Sequence, residues 1–234
     1  SDDGRNVMTS KTEDNGRSIE YRYDVPGSTL LTAEMVFWKG KLCERIFYSY
    51  DADKCLVAVM HDEGGTRNPH TMKDVIRRIV HRITPSKSMA SFGKPHIVEK
   101  KYYNFDLKRE ELLSKVVCRY DDRGLLVKKE TYDKRNALRY HLSWQYDVRR
   151  RPVKEVDSRG TTRLFGYDAN NNLTFSQGPN FNVKAHHSYD FANRMVSTKN
   201  VYSDGLQQSV TCTYDLRGNK TSSKDAFGNT TSYS

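Results

Sequence analysis

The sequence lacks the features that direct a chain into or across a membrane. It contains no run of about 18 apolar residues, the length a membrane-spanning helix needs. Residues 1–4, Ser-Asp-Asp-Gly, have neither the basic start nor the apolar stretch of a signal peptide. The sequence therefore predicts that this stretch neither spans nor targets a membrane.

Cysteine is scarce, and its spacing argues against several classes of small domain. The four cysteines are scattered and form no Cys-x-x-Cys pair, at Cys43, Cys55, Cys118 and Cys212. This spacing argues against a zinc knuckle, a thioredoxin-like redox site and a dense disulfide framework. We interpret the four as small buried hydrophobic side chains rather than as disulfide partners.

The common catalytic and phosphate-binding motifs are also missing. GxGxxG, GxxxxGK, HExxH and GxSxG occur nowhere in the sequence. The seven histidines are dispersed, and the one close pair, His186 and His187, would point to opposite faces of a strand. We therefore predict that His187 packs beside Tyr189, and that the chain has no catalytic residue and no cofactor.

One short stretch has the spacing of the first ligands of a calcium loop. Asp168, Asn170 and Asn172 alternate as such ligands do. The sixth position is Leu173 rather than glycine, however, and the twelfth is Pro179 rather than glutamate. We interpret the stretch as a turn and predict no metal site.

Charge is concentrated in the middle of the chain. The net charge is +10, and residues 67–159 hold 24 Lys and Arg against 12 Asp and Glu. Such a region could bind nucleic acid, with an affinity that falls steeply as salt rises. We favour instead a solvated basic face of alternating strands, with nucleic acid as an unlikely partner.

What the sequence has in abundance is a repeated Tyr-Asp dyad. Hydrophobic residues make up 36%, yet tyrosine alone contributes 15 residues. The dyads stand at Tyr23-Asp24, Tyr50-Asp51, Tyr120-Asp121, Tyr132-Asp133, Tyr146-Asp147, Tyr167-Asp168, Tyr189-Asp190 and Tyr214-Asp215. From Asp121 the main steps are 26, 21, 22 and 25 residues, and a recurring step of this length indicates a repeat architecture.

The residues before each dyad alternate in polarity. Large or apolar side chains occupy every second position and end on the tyrosine, in rows such as Ile19-Tyr21-Tyr23, Ile46-Tyr48-Tyr50, Leu142-Trp144-Tyr146 and Val210-Cys212-Tyr214. Polar residues such as Glu20, Arg22 and Gln145 stand between them. This period of two predicts half-buried antiparallel strands, with the tyrosines on an apolar face and polar residues on the other.

A short turn follows each dyad, and a second turn closes each repeat. The aspartate carboxylate can accept a hydrogen bond from the backbone N–H two residues on, and Gly or Asn later in the turn tolerates positive φ. In each dyad, therefore, we expect the tyrosine to end a strand and the aspartate to start a turn. We expect Tyr146, Tyr167, Tyr189 and Tyr214 to form a ladder on one face of the sheet, in neighbouring strands.

This cycle resembles the YD repeat of Rhs proteins, toxin-complex C components and teneurins. The clearest copy runs from Tyr214 to Gly228, YDLRGNKTSSKDAFG. The resemblance implies an all-β fold, in which antiparallel hairpin repeats form a continuous curved or spiral sheet that is a segment of a hollow shell. In bacterial members the shell encloses a C-terminal toxin domain. The implied partners are flanking YD repeats of the same polypeptide and an encapsulated toxin domain.

The sequence departs from the family pattern in places. It contains no Asp-Pro dipeptide, so the self-cleaving core motif of bacterial Rhs proteins cannot be assigned to any residue here. Pro152 follows three arginines where glycine and a β-former are usual, and Tyr23-Asp24 continues as Val25-Pro26-Gly27.

The dyads divide the chain into three parts. Residues 1–63 and 114–234 carry YD repeats, the second set truncated at its C-terminal end, and residues 64–113 form a degenerate, insert-like segment without a proper dyad. In this segment residues 70–84 suit either a helix or a long strand, with the strand favoured, and Ser86 to Pro95 reads as an exposed loop. We expect both ends to be cuts through a longer array, with Asp2-Asp3-Gly4-Arg5 as the turn of a preceding repeat.

The sequence thus predicts a non-enzymatic structural segment of a secreted or bacterial cell-surface protein. One alternative is an extracellular adhesion or carbohydrate-binding scaffold, in which exposed tyrosines and turns meet glycans. Binding of glycans by this chain, abolished by mutation of exposed tyrosines, would favour that alternative.

Overall fold

The structure, a computed structural model, describes residues 8–25, 29–68, 71–179 and 183–233. In these ranges it contains 18 β-strands, paired antiparallel, and one short 3-10 helix. None of the helical residues in these ranges forms a segment long and apolar enough to cross a membrane. The predicted all-β fold of antiparallel hairpins is confirmed.

The chain divides into two compact units, residues 1–140 and 141–234. The first contains β1 (Ser10–Thr12), β2 (Arg17–Tyr23), β3 (Leu31–Trp38), β4 (Lys41–Tyr50), β5 (Leu56–Gly64), β6 (Val75–Pro85), the 3-10 helix (Met89–Ser91), β7 (Pro95–Asn104), β8 (Arg109–Tyr120) and β9 (Leu126–Asp133). The second contains β10 (Leu138–Tyr146), whose first residues precede the boundary, β11 (Pro152–Asp157), β12 (Thr162–Tyr167), β13 (Leu173–Gln177), β14 (Val183–Tyr189), β15 (Met195–Tyr202), β16 (Gln207–Tyr214), β17 (Lys220–Lys224) and β18 (Thr230–Ser232).

In each unit the strands form a meander, in which each strand pairs with the next one along the chain. In the first unit β2 pairs with β3, with Ile19 opposite Val36, and the pattern continues to β8 and β9. In the second unit it runs from β10 and β11 to β17 and β18. Short turns bring consecutive strands side by side, which is why the pairing is antiparallel throughout.

The core of the first unit lies on the sheet face opposite the dyad tyrosines. Ala33, Met35 and Phe37 of β3 are buried together. Met35 is the cross-strand partner of Glu20 in β2, so its side chain lies on the same face as Glu20 and not on the face of Tyr21 and Tyr23. Burying a side chain such as Met or Phe contributes roughly 1.5–3 kcal/mol. The expectation that this face is polar is therefore wrong for β3, because the sequence LTAEMVFW places apolar side chains on both faces.

The second unit has almost no core of its own. Among its described residues only Gln177 is buried, and the rest are half-buried or exposed. The apolar faces of its strands are thus covered only in part by their own neighbours.

Residues 64–113 continue the hairpins of the first unit. They comprise β6, β7 and the start of β8, and β6 pairs with both β5 and β7. Residues 75–85 form a strand rather than a helix, as favoured, because six of these eleven residues are Val, Ile or Thr, whose branched side chains suit a pleated surface.

The loop between β6 and β7 is less exposed than predicted. Met89 is fully exposed, but Ser91 is buried, and its hydroxyl lies 2.7 Å from that of Ser86. A residue of the loop thus packs inward because the loop folds back upon itself.

All four cysteines are free thiols, but only Cys55 is buried. The prediction of four buried side chains is wrong for Cys43, which is exposed, and for the half-buried Cys118 and Cys212. These three lie on β4, β8 and β16, in which most side chains are half-buried or exposed. The predicted turn at Asp2-Asp3-Gly4-Arg5, and residues 26 and 27 after the first dyad, lie outside the described residues.

Candidate functional site

Each dyad aspartate organises the backbone of the turn that it begins. In the turn after β10, the Oδ1 atom of Asp147 accepts hydrogen bonds from the backbone N–H groups of Arg149 and Arg151, both at 2.9 Å. The N–H of Asp147 donates to the carbonyl of Arg151 at 3.0 Å, and that of Arg150 donates to the carbonyl of Asp147 at 3.1 Å. The carboxylate thus accepts hydrogen bonds from two backbone N–H groups of the turn.

The same arrangement recurs along the chain. Aspartates whose carboxylate accepts from the backbone N–H groups two and four residues on are Asp51, Asp121, Asp133, Asp147, Asp157, Asp168 and Asp190, with Asp225 closing the last described hairpin. Asp215 accepts from the N–H of Asn219 at 2.8 Å. Asp24, in contrast, accepts from the N–H of Val25 at 2.9 Å. The hydrogen bond inferred from the sequence is therefore present, and it also occurs at aspartates outside the dyads.

The residue three positions after the aspartate of each turn adopts positive φ. It is Gly or Asn in most of them, as at Gly218 (φ 91°) and Asn193 (φ 61°), but Lys54 (φ 60°) and Arg150 (φ 67°) stand there as well. A side chain with a Cβ atom pays an energetic cost in this conformation. The turn after β10 therefore carries strain that glycine would relieve.

We expect Arg150→Gly to raise the free energy of unfolding of the second unit by about 0.5–1 kcal/mol, because the strain it removes exceeds the entropy that glycine adds to the unfolded chain. Urea titration measures the change, with hydrogen exchange of the β10 and β11 amides as the readout. Arg159→Gly, two residues after Asp157 and without positive φ, is the control and should give no gain. Equal effects of the two changes would contradict the assignment of strain.

The dyad tyrosines tie the end of one strand to the start of the strand before it. The hydroxyl of Tyr189, at the end of β14, donates to the carbonyl oxygen of Leu173, the first residue of β13, at 2.9 Å. Equivalent bonds run from Tyr50 to Leu31 at 2.8 Å, from Tyr120 to Pro95 at 2.9 Å and from Tyr214 to Met195 at 2.9 Å. Tyr23 donates to Met8 at 2.8 Å.

Tyr146, Tyr167, Tyr189 and Tyr214 share one face of the sheet of the second unit. Residues paired directly across two strands have their side chains on the same face of the sheet. Trp144, which shares its face with Tyr146, pairs with Glu155, and Glu155 pairs with Arg163, which shares its face with Tyr167. The pairing continues in the same way to the strands of Tyr189 and Tyr214. The tyrosines stand on β10, β12, β14 and β16, so the expectation of neighbouring strands is wrong. Each repeat contributes two strands and only one dyad, which puts one strand between successive tyrosines.

Two arginines join one dyad to the next. The Nε atom of Arg194 donates to the Oδ2 atom of Asp190 at 2.7 Å, and its Nη1 atom donates to the carbonyl of Asp215 at 2.7 Å. Its guanidinium carbon also lies 5.0 Å from the ring centroid of Tyr214. A cation over an aromatic face at this distance is attracted by the ring quadrupole.

Arg151 makes the same three contacts one repeat pair earlier. Its Nε atom donates to the Oδ2 atom of Asp147 and its Nη1 atom donates to the carbonyl of Asp168, each at 2.7 Å. Its guanidinium carbon lies 4.8 Å from the ring centroid of Tyr167. Both arginines stand four residues after the dyad aspartate. The sequence analysis missed them, although this recurring spacing could have revealed them.

Asparagines occupy the same fourth position after other aspartates. The Nδ2 atom of Asn172 donates to the Oδ2 atom of Asp168 at 2.9 Å and to the Oδ1 atom of Asn193, in the next dyad turn, at 2.8 Å. Asn219 donates to Asp215 at 3.0 Å. The carboxylate of Asp168 is thus engaged in turn formation, which agrees with the interpretation of this stretch as a turn.

These contacts lower the pKa of the dyad aspartates. The hydrogen bond from the backbone N–H of Arg151 lowers the pKa of Asp147, and that from Arg194 lowers the pKa of Asp190, in both cases against an opposing effect of desolvation. The hydrogen bond from the Asn219 side chain lowers the pKa of Asp215. All three act by stabilising the ionised carboxylate.

We therefore expect the second unit to lose stability in acid. A group with a lowered pKa in the folded chain contributes stability fully above its unfolded-chain pKa of about 3.9, and loses it as pH falls through the folded-state value. The dyad carboxylates should leave the urea midpoint unchanged from pH 7 to 5 and make it fall below pH 4, and the lowered pKa of His187 adds a separate fall between pH 7 and 5. Combining Asp147→Asn with Asp190→Asn should weaken this dependence, and an unchanged slope would contradict the role given to these carboxylates.

In the first unit, a buried ion pair takes the place of a continuous apolar core. Arg45 and Asp62 are fully buried, and the Nε atom of Arg45 donates to the Oδ2 atom of Asp62 at 2.7 Å. Arg45 also donates to the carbonyls of Thr66, Asn68 and Thr71, each at 2.7 Å. The guanidinium thus holds the loop between β5 and β6 to the sheet.

Neighbouring arginines complete this cluster. Arg78 donates to Asp62 through its Nε atom at 2.6 Å and its Nη2 atom at 2.8 Å. Arg67, in the loop, donates to Glu20 at 2.8 Å and lies 4.7 Å from the ring centroid of Phe37. The loop therefore covers the apolar cluster of β3.

The loop between β6 and β7 stands where the missing dyad would be. Lys87 pairs with Asp51 at 2.9 Å and with Asp53 at 2.7 Å, and Lys94 donates to the carbonyl of Gly124 at 2.8 Å. The loop thus links the turns at Asp51 and Asp121 in the absence of a dyad between them.

The paired histidines lie on opposite faces of β14. The rings of His186 and Phe175 lie in a tilted contact with centroids 5.4 Å apart, and the Nδ1 atom of His187 lies 3.1 Å from the hydroxyl of Thr198. Burial, followed by the charge of His186, lowers the pKa of His187. Within the described part of the chain, His, Cys, Asp and Glu form no group of three or more that could hold a metal ion.

No protein-family model and no curated protein sequence matches the chain. Among solved structures, the chain resembles the TcdB2-TccC3-Cdc42 and TcdB2-TccC3-TEV crystal structures, with TM-scores of 0.54 and 0.55, 14% identity and 92% of this chain covered in both. The TcdB2-TccC3 structure covers 90% at 14% identity and a TM-score of 0.54. The chain spans 11–12% of the length of these proteins. Its fold is therefore that of a β-sheet segment found within these structures.

Proposed function

We propose that this chain is a non-enzymatic wall segment of a hollow β-shell in a longer Rhs-type protein, and that the shell encloses or presents a C-terminal toxin domain. Such a protein would be secreted or held at a bacterial cell surface. The observation that carries the proposal is the linkage of one dyad to the next: Arg151 and Arg194 make the same three contacts at two of these steps, and Asn172 bonds Asn193 at the step between them.

The reactive groups of the dyads support a structural role. The carboxylates of Asp147 and Asp190 each accept two backbone N–H groups and an arginine. The hydroxyls of Tyr189 and Tyr214 donate to strand carbonyls. Groups engaged in this way hold the backbone of the repeat, which is the work a wall segment requires.

The thin packing of the second unit also supports a role within a larger array. A hairpin repeat with a half-buried face gains its stability from neighbouring repeats rather than from a core of its own. The likeness to TcdB2-TccC3 structures, of which the chain spans about one eighth, suits such a segment.

The test is cryo-electron microscopy of the full-length natural polypeptide that contains this segment. We expect a hollow particle whose wall includes the strands described here, with density for a downstream domain inside or at its mouth. An extended rod, or a compact particle without a cavity, would refute the shell. A hollow particle with no further domain would refute only the toxin-related part of the proposal.

A further inference from the structure

The turns that follow the dyads in the second unit expose apolar side chains at their tips. Val148, Phe191 and Leu216 each stand directly after a dyad aspartate, with exposed fractions of 94%, 93% and 104%, and the small Ala169 stands at this position in the turn between those of Val148 and Phe191. We call these three residues the apolar turn row. The turns at the opposite edge of the same sheet carry Ser158, Ser203 and Ala226 at the corresponding position, although Leu206 and Phe227 are exposed at other positions of these turns.

The charge presented beside the apolar turn row is positive. The dyad carboxylates of Asp147, Asp190 and Asp215 are bound to turn amides and to Arg or Asn side chains. The side chains of Arg150 and Arg217, in contrast, have no partner among the described residues. The row of turns at this end of the strands, which we call the edge, therefore combines exposed apolar side chains with two arginines that have no partner among the described residues.

A cleft of about 720 Å³ lies at the turns of Phe191 and Leu216. Arg194, Tyr214 and Arg217 line it, together with Asp215 and Asn219. A cleft with an aromatic wall and a basic rim suits an apolar side chain with a carboxylate beside it.

The spacing of the turns sets the form of the occupant. Successive dyad turns are two strands apart. Because neighbouring strands lie about 4.8 Å apart, the turn tips repeat about every 10 Å. Two turns of an α-helix rise about 10.5 Å over seven residues. A helix lying along the edge would thus present every seventh residue to successive turns, with Phe191 and Leu216 one heptad apart and Val148 two heptads from Phe191.

We propose that this edge binds an acidic amphipathic helix, whose apolar residues at seven-residue spacing contact the apolar turn row and enter the cleft, while its carboxylates face Arg150 and Arg217. A second copy of the same edge is disfavoured because the arginines would repel one another. A flat anionic bilayer would leave the cleft unfilled. The inference does not depend on the shell proposal.

The test measures binding of the 234-residue chain to a fluorescein-labelled synthetic helix of three heptads, with leucine at its apolar positions and glutamate beside them, by fluorescence anisotropy. We expect saturable binding that weakens as salt rises. Combining Phe191→Ser with Leu216→Ser should weaken it at least tenfold, and Arg217→Glu should weaken it several-fold. Phe227→Ser, at the opposite edge, is the matched control and should leave the affinity unchanged.

Because all four side chains are exposed, the variants are expected to melt as the parent does, which separates lost binding from lost folding. A scrambled peptide of the same composition should bind at least tenfold more weakly. Equal binding of the scrambled peptide, or equal loss with Phe227→Ser, would overturn the proposal. Binding to phosphatidylserine vesicles but not to the helix would overturn it in favour of a lipid surface.

Discussion

Replacing Arg45 by leucine is expected to lower the free energy of unfolding of the first unit by about 3–5 kcal/mol, the cost of leaving one member of a buried ion pair without its partner. The change leaves the buried carboxylate of Asp62 with Arg78 alone. It also removes the donor that binds the carbonyls of Thr66, Asn68 and Thr71. The loop between β5 and β6 should then separate from the sheet and expose the apolar cluster of β3.

Arg77→Leu is the matched control, because Arg77 lies one residue from Arg78 on the same strand and pairs with Glu63 at an exposed position. An exposed pair contributes about 0–1 kcal/mol, so this variant should melt close to the parent. Urea denaturation measures both, and hydrogen exchange of the amides of residues 65–68 reports the loop directly. If Arg45→Leu unfolds no more easily than Arg77→Leu, the cluster does not hold the first unit together.

Gly124→Ala should destabilise the first unit by about 2–4 kcal/mol, the sum of strain at positive φ and overlap with a neighbouring loop. Gly124 has a φ of 75°, and a Cβ atom there would overlap the carbonyl oxygen of Ala90 in the loop between β6 and β7. The loop would have to move, which would disturb the bond between Lys94 and the carbonyl of Gly124.

Gly160→Ala separates the two contributions. Gly160 occupies the same turn position after Asp157, with a φ of 78°, but an added Cβ atom would meet nothing within 4 Å. Only the strain remains, so the expected loss is about 1–2 kcal/mol. Denaturation of each variant, assigned to its unit by hydrogen exchange, gives the comparison. Equal losses at the two sites would show that the loop does not pack against the turn at Gly124.

The repeated turns could be predicted from the sequence because their chemistry is local. An aspartate and a residue able to adopt positive φ lie within four positions of one another, and the aspartate bonds its own backbone. The alternation of Ile19, Tyr21 and Tyr23 likewise reports the strand directly. The extended form of residues 75–85 follows from the same kind of signal, the branched side chains of the strand itself.

The contacts between distant residues could not be predicted in this way. Arg45 and Asp62 are 17 residues apart, and each looks like an ordinary surface charge within an alternating strand. Only the fold of the loop between β5 and β6, whose carbonyls Arg45 binds, makes the pair buried. The interpretation of the opposite face as polar was wrong at β3 for the same reason, since Arg67 of that loop lies over the ring of Phe37.

The arginines that connect the dyads are an intermediate case. Arg151 and Arg194 stand four residues after Asp147 and Asp190, which is a local relation, but their second contacts reach Asp168 and Asp215 in the next repeat. The spacing could have singled them out, and the fold was needed to show what they join.

The claim that the dyads tie one repeat to the next is tested most directly by a double-mutant cycle between Arg194 and Tyr214. The free energy of unfolding of the second unit is measured for Arg194→Ala, for Tyr214→Ala and for the two together, with hydrogen exchange of the β14 to β17 amides as the readout. The account predicts a coupling energy of about 0.5–2 kcal/mol, because each change removes the partner of the other. Losses that simply add, with no coupling energy, would contradict it.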